Sequence, residues 1–364
     1  MKLPEKMTAA VLTGHGGLEK LVVRHDVPVP KPAPGEVLIK VGACGVNNTD
    51  INTRIGWYSK SVTSETGVGK ANDAANDDAS WGGSAIAFPR IQDADVAGRI
   101  AAVGEGVSSK CIGERVLVDP ILRDPSDPDN RYLSGYFGSE RDGGFAHYTT
   151  APEENAVAIH SDLSDAELAT FPCSYSTGEN TLSRVRLSQA ETILIPGASG
   201  GVGSALVQLA KRRGARVLAI TSRSKMDAIR QLGADVVLDR RTGHLEEAIR
   251  DSLSDGHLHV VADVVGGPNV PLYLNVLSRG GRFVTSGAIA GPIVDLDLRT
   301  VYLKDLELHG ATIMGADIFR NLVGYVENDE IRPLLAKTFV LGEIHEAQTL
   351  FLNKQHIGNL VLLP

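Results

Sequence analysis

Cysteine is scarce in this 364-residue chain, which holds only Cys44, Cys111 and Cys173. An odd and widely spaced set of thiols builds no disulfide framework and suits a reducing compartment. Long apolar runs are also missing: no stretch could cross a bilayer, and the opening MKLPEKMTAA has no apolar signal core, so the cytoplasm is the expected location. Excess positive charge is missing too. A net charge of −8 argues against nucleic acid or an anionic membrane as a partner. No internal repeat marks a solenoid. What remains is a chain of ordinary apolar content, 43%, long enough for two domains.

Glycine is plentiful where it matters. In Glu191–Lys211 the apolar run Ile193-Leu194-Ile195 reads as a buried parallel strand, and Gly197, Gly200, Gly201 and Gly203 follow at once. A helical pattern comes next, with Val202, Leu206 and Leu209 on one face. Strand, glycine turn and helix N-terminus together hold a pyrophosphate, because glycines let backbone approach it and free amides at the helix start point at its charge. The alternation continues. Strands are expected at 216–221, 236–238, 257–265, 281–286 and 306–314, and helices at 225–232, 245–253 and 270–277. Strands alternating with helices imply a doubly wound parallel sheet, a Rossmann-type α/β domain.

The second strand ends without the carboxylate that grips the ribose 2′-hydroxyl in NAD-binding versions. In its place stands Thr221-Ser222-Arg223-Ser224-Lys225. Hydroxyls and cations attract a 2′-phosphate that a carboxylate would repel, so NADP(H) is the expected cofactor. A solvated polar turn is the alternative reading of the same residues.

The N-terminal half has a different texture. Short strands at 9–12, 21–23, 36–42, 96–103 and 115–119, punctuated by Pro28, Pro30, Pro32, Pro34 and Gly35, suggest a compact β-rich domain. Residues 59–87 are polar, flanked by Trp57 and holding Trp81, and read as a long loop: either a lid over a site or an insertion of little consequence.

Several segments carry a family resemblance over nearly the whole length. They are Pro34–Val41, Gly45-Val46-Asn47-Asn48-Thr49-Asp50, Asp95-Val96-Ala97-Gly98, Gly143-Gly144-Phe145-Ala146, Ser176-Thr177-Gly178 and the central glycine motif. Together they resemble the medium-chain dehydrogenase/reductase superfamily, which includes zinc alcohol dehydrogenases and zinc-free quinone oxidoreductases. The resemblance implies a β-rich GroES-like catalytic domain of residues 1–158 and 317–364 around a Rossmann domain of residues 159–316, and a homodimer with strands 283–286 and 308–314 near its interface. For the cofactor it implies Thr177 beside the nicotinamide, Ser199, Gly200, Gly201 and Val202 around the pyrophosphate, and Ser222, Arg223 and Lys225 at the 2′-phosphate. Val265, Ser286 and Gly287 end the next strands against the ligand. Asn359 stands where the family has a lysine, which puts that contact in doubt.

The zinc members use three catalytic ligands. The corresponding positions here are Asn47, Ala94 and Cys173, and Asp119–Tyr136 holds no cysteine for a structural zinc. A catalytic zinc normally has three protein ligands, so no metal is expected. Without a Lewis acid the accessible substrates are those that already accept hydride, namely quinones and α,β-unsaturated carbonyls. Asn47 and Tyr58 are the candidate catalytic groups, as amide and phenol donors. Packing at a loop edge is the alternative for Tyr58. Thr49 is either a proton relay or, preferably, a helix N-cap. Cys173 reads as a core residue. The expected function is NADPH-dependent reduction of a quinone or enone. The alternatives are an alcohol or aldehyde dehydrogenase of the same superfamily and a non-catalytic NADPH-binding protein.

Overall fold

The computed structural model describes residues 3–67, 77–124, 126–127, 135–253 and 256–364. The chain divides into two compact units. One comprises Met1–Val62, Gly67–Cys173 and Gly315–Pro364, and the other Thr63–Thr66 with Ser174–Met314. The packing boundary falls at 173/174, inside the helix Pro172–Arg184, where the expected one lay at 158/159. The expected loop 59–87 has no helix or strand in its described parts, and residues 68–76 lie outside the described residues.

The second unit is built on a six-stranded parallel sheet in the order Val236–Asp239, Arg216–Thr221, Thr192–Pro196, Val260–Asp263, Arg282–Thr285, Glu307–Gly310. Every residue of Thr192–Pro196 is buried, as befits a strand covered on both faces. Helices Gly201–Arg212, Met226–Gln231, Leu245–Asp251 and Val270–Val276 intervene in sequence. Leu194, Leu218, Ile249, Leu274 and Phe283 lock strands and helices into one core. The order reverses between the strands Thr192–Pro196 and Val260–Asp263, the crevice where open α/β sheets bind ligands.

The first unit is organised by one long strand, Glu36–Val46. It pairs antiparallel with Val96–Val103, with Tyr148–Pro152 and with Asn359–Leu363. The last pairing sets Leu360 against Val46 and Leu362 against Cys44, so the C-terminal segment completes the sheet. The strand leads directly into the helix Asn48–Ile55, which ends at Gly56 in the left-handed conformation, φ 69°. Its N-cap is Asn47, which corrects the expectation of a cap at Thr49. Asp50 reaches back to accept the Asn47 backbone N–H at 2.7 Å.

The glycines after Thr192–Pro196 divide the labour. Gly197 turns the chain at φ 68°. A Cβ on Gly203 would collide with the Gly197 carbonyl, so this glycine lets helix and strand close up. A Cβ on Gly200 would meet nothing nearer than 3.7 Å, so the fold itself does not require glycine there. Gly203→Ala should therefore lower the melting temperature, at a cost of about 1–3 kcal/mol from overpacking. Gly200→Ala should leave thermal stability unchanged and weaken dinucleotide binding. Thermal melts and cofactor titrations on both variants check the contrast.

Candidate active site

In the nucleotide-binding unit, the residues expected to hold a dinucleotide come together at the carboxyl ends of the parallel strands. Gly200 caps the helix Gly201–Arg212 without a side-chain cap hydrogen bond, and the first-turn amides of an α-helix, here those of Gly201 and Val202, have no intrahelical acceptor; Ser199 precedes the cap. Ser222 opens the turn Arg223–Lys225 after the second strand. Past the fourth, the buried Asp263 carboxylate accepts the backbone N–H groups of Val265 at 2.8 Å and Gly266 at 3.0 Å, which fixes the strand end. Ser286 follows the fifth strand, its backbone N–H donating to the Asp263 carbonyl at 3.1 Å. The Ser286 hydroxyl is buried and has no partner among the described residues. Gly287 lies against the Val264 backbone, and Thr177 sits within the helix Pro172–Arg184.

The catalytic unit brings together groups that the sequence left apart. Asn47 is buried, and its amide Nδ2 donates to Asp95 Oδ2 at 2.5 Å. The other Asp95 oxygen accepts the backbone N–H of Cys173 at 2.6 Å. The Tyr136 hydroxyl donates to Cys173 Sγ at 3.2 Å, and the Trp81 ring stacks on Tyr136 at 4.8 Å between centroids. The Tyr58 hydroxyl donates to Thr49 Oγ1 at 3.1 Å. Asn359 lies buried at the start of the last strand.

Three buried carboxyls, Asp50, Asp93 and Asp95, converge here with no ion pair to Lys or Arg among the described residues. Asp93 holds φ 91°, and its Oδ1 accepts the Asp95 N–H at 2.8 Å while Oδ2 has no partner among the described residues. Gly143 and Gly144 have to be glycine because a Cβ on either would strike Asp93, and one on Gly45 would strike Asp95. Burial raises all three. Asp50 is pushed up to about 8 and Asp95 to about 7. Asp93 moves well up, from burial and then from the charges of Asp50 and Asp95. Burial drives the Cys173 and Cys44 thiols well above their usual range, with Asp95 adding to the first and Asp93 to the second. It pushes the Tyr58 phenol up to about 12. Tyr58 therefore stays protonated through the neutral range and can donate a hydrogen bond. Sequence reasoning missed Tyr136 and the triad. Tyr136 stands in a segment without periodicity, and only the close spacing of Asp93 and Asp95 before the apolar Val96-Ala97 could have hinted at the second.

Residues 33–161 match the alcohol dehydrogenase GroES-like domain family, and residues 201–328 match the zinc-binding dehydrogenase family. The chain is 28% identical to a quinone oxidoreductase of Lama guanicoe, covering 98% of this chain and 97% of that protein. It is 29% identical to an acryloyl-coenzyme A reductase of Metallosphaera sedula, covering 98% and 99%. The crystal structure of a candidate alcohol dehydrogenase from Sinorhizobium meliloti 1021 superimposes with a TM-score of 0.90 at 49% identity, covering 100% of this chain and 98% of that one. The chain belongs to the medium-chain dehydrogenase/reductase superfamily.

As an oxidoreductase of this superfamily it uses a nicotinamide cofactor, and the residues present fit one. The open space at Gly200, a helix start without a side-chain cap and a Ser286 hydroxyl without a partner among the described residues all suit polar ligand atoms. The nicotinamide, when bound, supplies the hydride. Zinc does not fit. Ala94 offers no donor, Asn47 is tied to Asp95, and Cys173 is a protonated thiol accepting the Tyr136 hydroxyl. The zinc-binding dehydrogenase match begins at residue 201 and includes none of these three positions.

The triad makes stability depend on pH. An unfolded Asp loses its proton near pH 4, whereas the folded Asp95 and Asp50 keep theirs to about 7 and about 8. The folded state thus binds extra protons between these limits. Stability is greatest below the window, declines as pH rises through it, and levels off above. Asp93→Asn keeps the acceptor to the Asp95 N–H and removes one titrating carboxyl from the cluster. It should flatten the fall of melting temperature between pH 5 and pH 9; thermal melts with the slope of wild type would contradict the assignment.

Proposed function

We propose that this chain is an NADPH-dependent reductase that delivers hydride to a quinone or an α,β-unsaturated carbonyl without zinc. The observation that carries the reading is Asp95, which holds Asn47 and the Cys173 backbone by hydrogen bonds at the position where the zinc members coordinate their metal. With Ala94 beside it, the site offers hydrogen bonds in place of a Lewis acid. Conjugated acceptors need little more, because they delocalise the charge that arrives with hydride. Tyr58 supplies a protonated phenol, and Asn47 an amide oriented by Asp95. The quinone oxidoreductase and acryloyl-coenzyme A reductase relatives, and an alkenal/one oxidoreductase of Arabidopsis thaliana at 26% identity, are consistent with this chemistry. Preference for NADPH rests on Ser222, Arg223 and Lys225 and on the lack of a carboxylate among them.

The test is the initial rate of NADPH oxidation, with NADH in parallel, on one quinone, one enal and one saturated aldehyde. Faster turnover of the quinone or enal with NADPH is the expected outcome, and Asn47→Ala or Tyr58→Phe should lower it by roughly tenfold or more. Preference for the saturated aldehyde would favour the alcohol dehydrogenase reading that the Sinorhizobium meliloti neighbour suggests.

A homodimer forms part of the same proposal. The strand Arg282–Thr285 is flanked on both sides, so the expected involvement of 283–286 can be only indirect. Glu307–Gly310 is one of the two edge strands of the sheet, and Leu308, Leu298, Tyr302, Leu303 and Ile293 are exposed. Such a patch is costly to leave in water. Light scattering should find a dimer, and Tyr302→Asp with Leu303→Asp should shift it toward monomer.

A further inference from the structure

We propose that Tyr136 is a further catalytic residue: its phenol turns from the Cys173 sulfur to the substrate oxygen and stabilises the charge that arrives with hydride. The inference rests on the reductase reading above and adds a second phenol to Tyr58.

Tyr136 is buried, and its hydroxyl donates to Cys173 Sγ at 3.2 Å, with no other partner among the described residues. Sulfur is a weak acceptor, so this bond is easily given up for one to oxygen, and more easily still for one to an oxygen gaining negative charge. The Tyr58 hydroxyl, by contrast, already has an oxygen, Thr49 Oγ1, at 3.1 Å. Cys173 also sets Tyr136 among the candidate donors. Asp95 holds the Cys173 backbone N–H with one oxygen and the Asn47 amide with the other. Burial first, then Cys173, Asp95 and Tyr58, hold the Tyr136 phenol well above its usual range, and Tyr58 responds to Cys173 in turn. Asn47, Tyr58 and Tyr136 thus lie around the same thiol and carboxyl.

The surroundings fix the ring and leave the O–H free to swing. Tyr136 pairs with Ile121 across a short antiparallel ladder. Its backbone N–H donates to Glu140 Oε2 at 2.9 Å, and the other Glu140 oxygen accepts the Gly82 N–H at 2.8 Å. The Trp81 backbone N–H donates to Ser139 Oγ at 2.9 Å, and the Ser84 N–H closes the turn on Ser80 Oγ at 2.9 Å. These clips hold the indole against the Tyr136 ring, 4.8 Å between centroids and 22° from parallel. Redirecting the hydroxyl is a rotation about one C–O bond, with no rearrangement of the ring. The phenol donates a hydrogen bond and keeps its proton. Both electrons arrive with the hydride of NADPH, and the proton that completes the reduced product comes from solvent.

The test is steady-state kinetics of wild type, Tyr136→Phe, Cys173→Ser and Cys173→Ala with NADPH, on duroquinone and on crotonaldehyde. Tyr136→Phe should lower kcat on the better substrate by about tenfold or more, the loss of one oxyanion donor. The two thiol variants should move in opposite directions. Cys173→Ser offers the phenol an oxygen, holds it back and should lower kcat several-fold. Cys173→Ala removes the competing acceptor and should raise kcat. A purely structural bond would give the reverse order, with serine preserving the wild-type rate and alanine losing it. Any order other than alanine above wild type above serine refutes the role of Tyr136 while the reductase reading stands, and so does a Tyr136→Phe enzyme with wild-type kcat. The thiol pair decides the matter where Tyr136→Phe does not fold. A wild type that turns over neither substrate overturns the reductase reading and the role of Tyr136 together.

Discussion

A single carboxylate ties the catalytic unit together. Asp95 stands where the strand Val96–Val103 begins. One of its oxygens holds the side chain that caps the helix Asn48–Ile55, and the other holds the backbone at the start of the helix Pro172–Arg184. Three stretches of chain separated by tens of residues thus share one anchor, in a place too buried for water to substitute. The glycines at 45, 143 and 144 follow from it and from Asp93 beside it, because side chains at 45 and 144 would strike their carboxyls and one at 143 the Asp93 backbone. Three acids without an ion pair among the described residues form a surplus of carboxyls, and protons neutralise that surplus.

The surplus gives the site a distinct electrostatic character. Phenols and thiols around the acids, Tyr58, Tyr136, Cys44 and Cys173, are all driven toward their neutral forms by burial. Every such group is then a hydrogen-bond donor and none is an anionic nucleophile. That suits the reception of charge arriving with hydride better than attack on a substrate.

Much of this architecture was legible from residues alone. Strands 216–221 and 96–103 match their expected bounds, because mostly apolar stretches carrying Val and Ile end at Ser222 and Gly104. The glycine motif was legible because Gly197 and Gly203 answer local backbone demands. The strand expected over 257–265 shrank to Val260–Asp263, since Leu258 turns aside to Ser278 and the Val265 N–H turns back to the Asp263 carboxylate. The site was less legible. Asn47 could be named from its motif, but its engagement with Asp95, 48 residues away, is a tertiary fact. Tyr136 and Trp81 meet by stacking between irregular segments, which no periodicity encodes.

The long strand Glu36–Val46 takes its last partner, Asn359–Leu363, from the far end of the chain, whereas residues 174–314 form their sheet from contiguous sequence. During synthesis the nucleotide-binding sheet can therefore close while the ribosome is still at work. The catalytic sheet must wait with the edge at Cys44–Val46 uncovered until residues 360–362 emerge. For that interval an apolar strand leading into the helix of Asn47 is open to other chains, and the order of assembly is a consequence of topology.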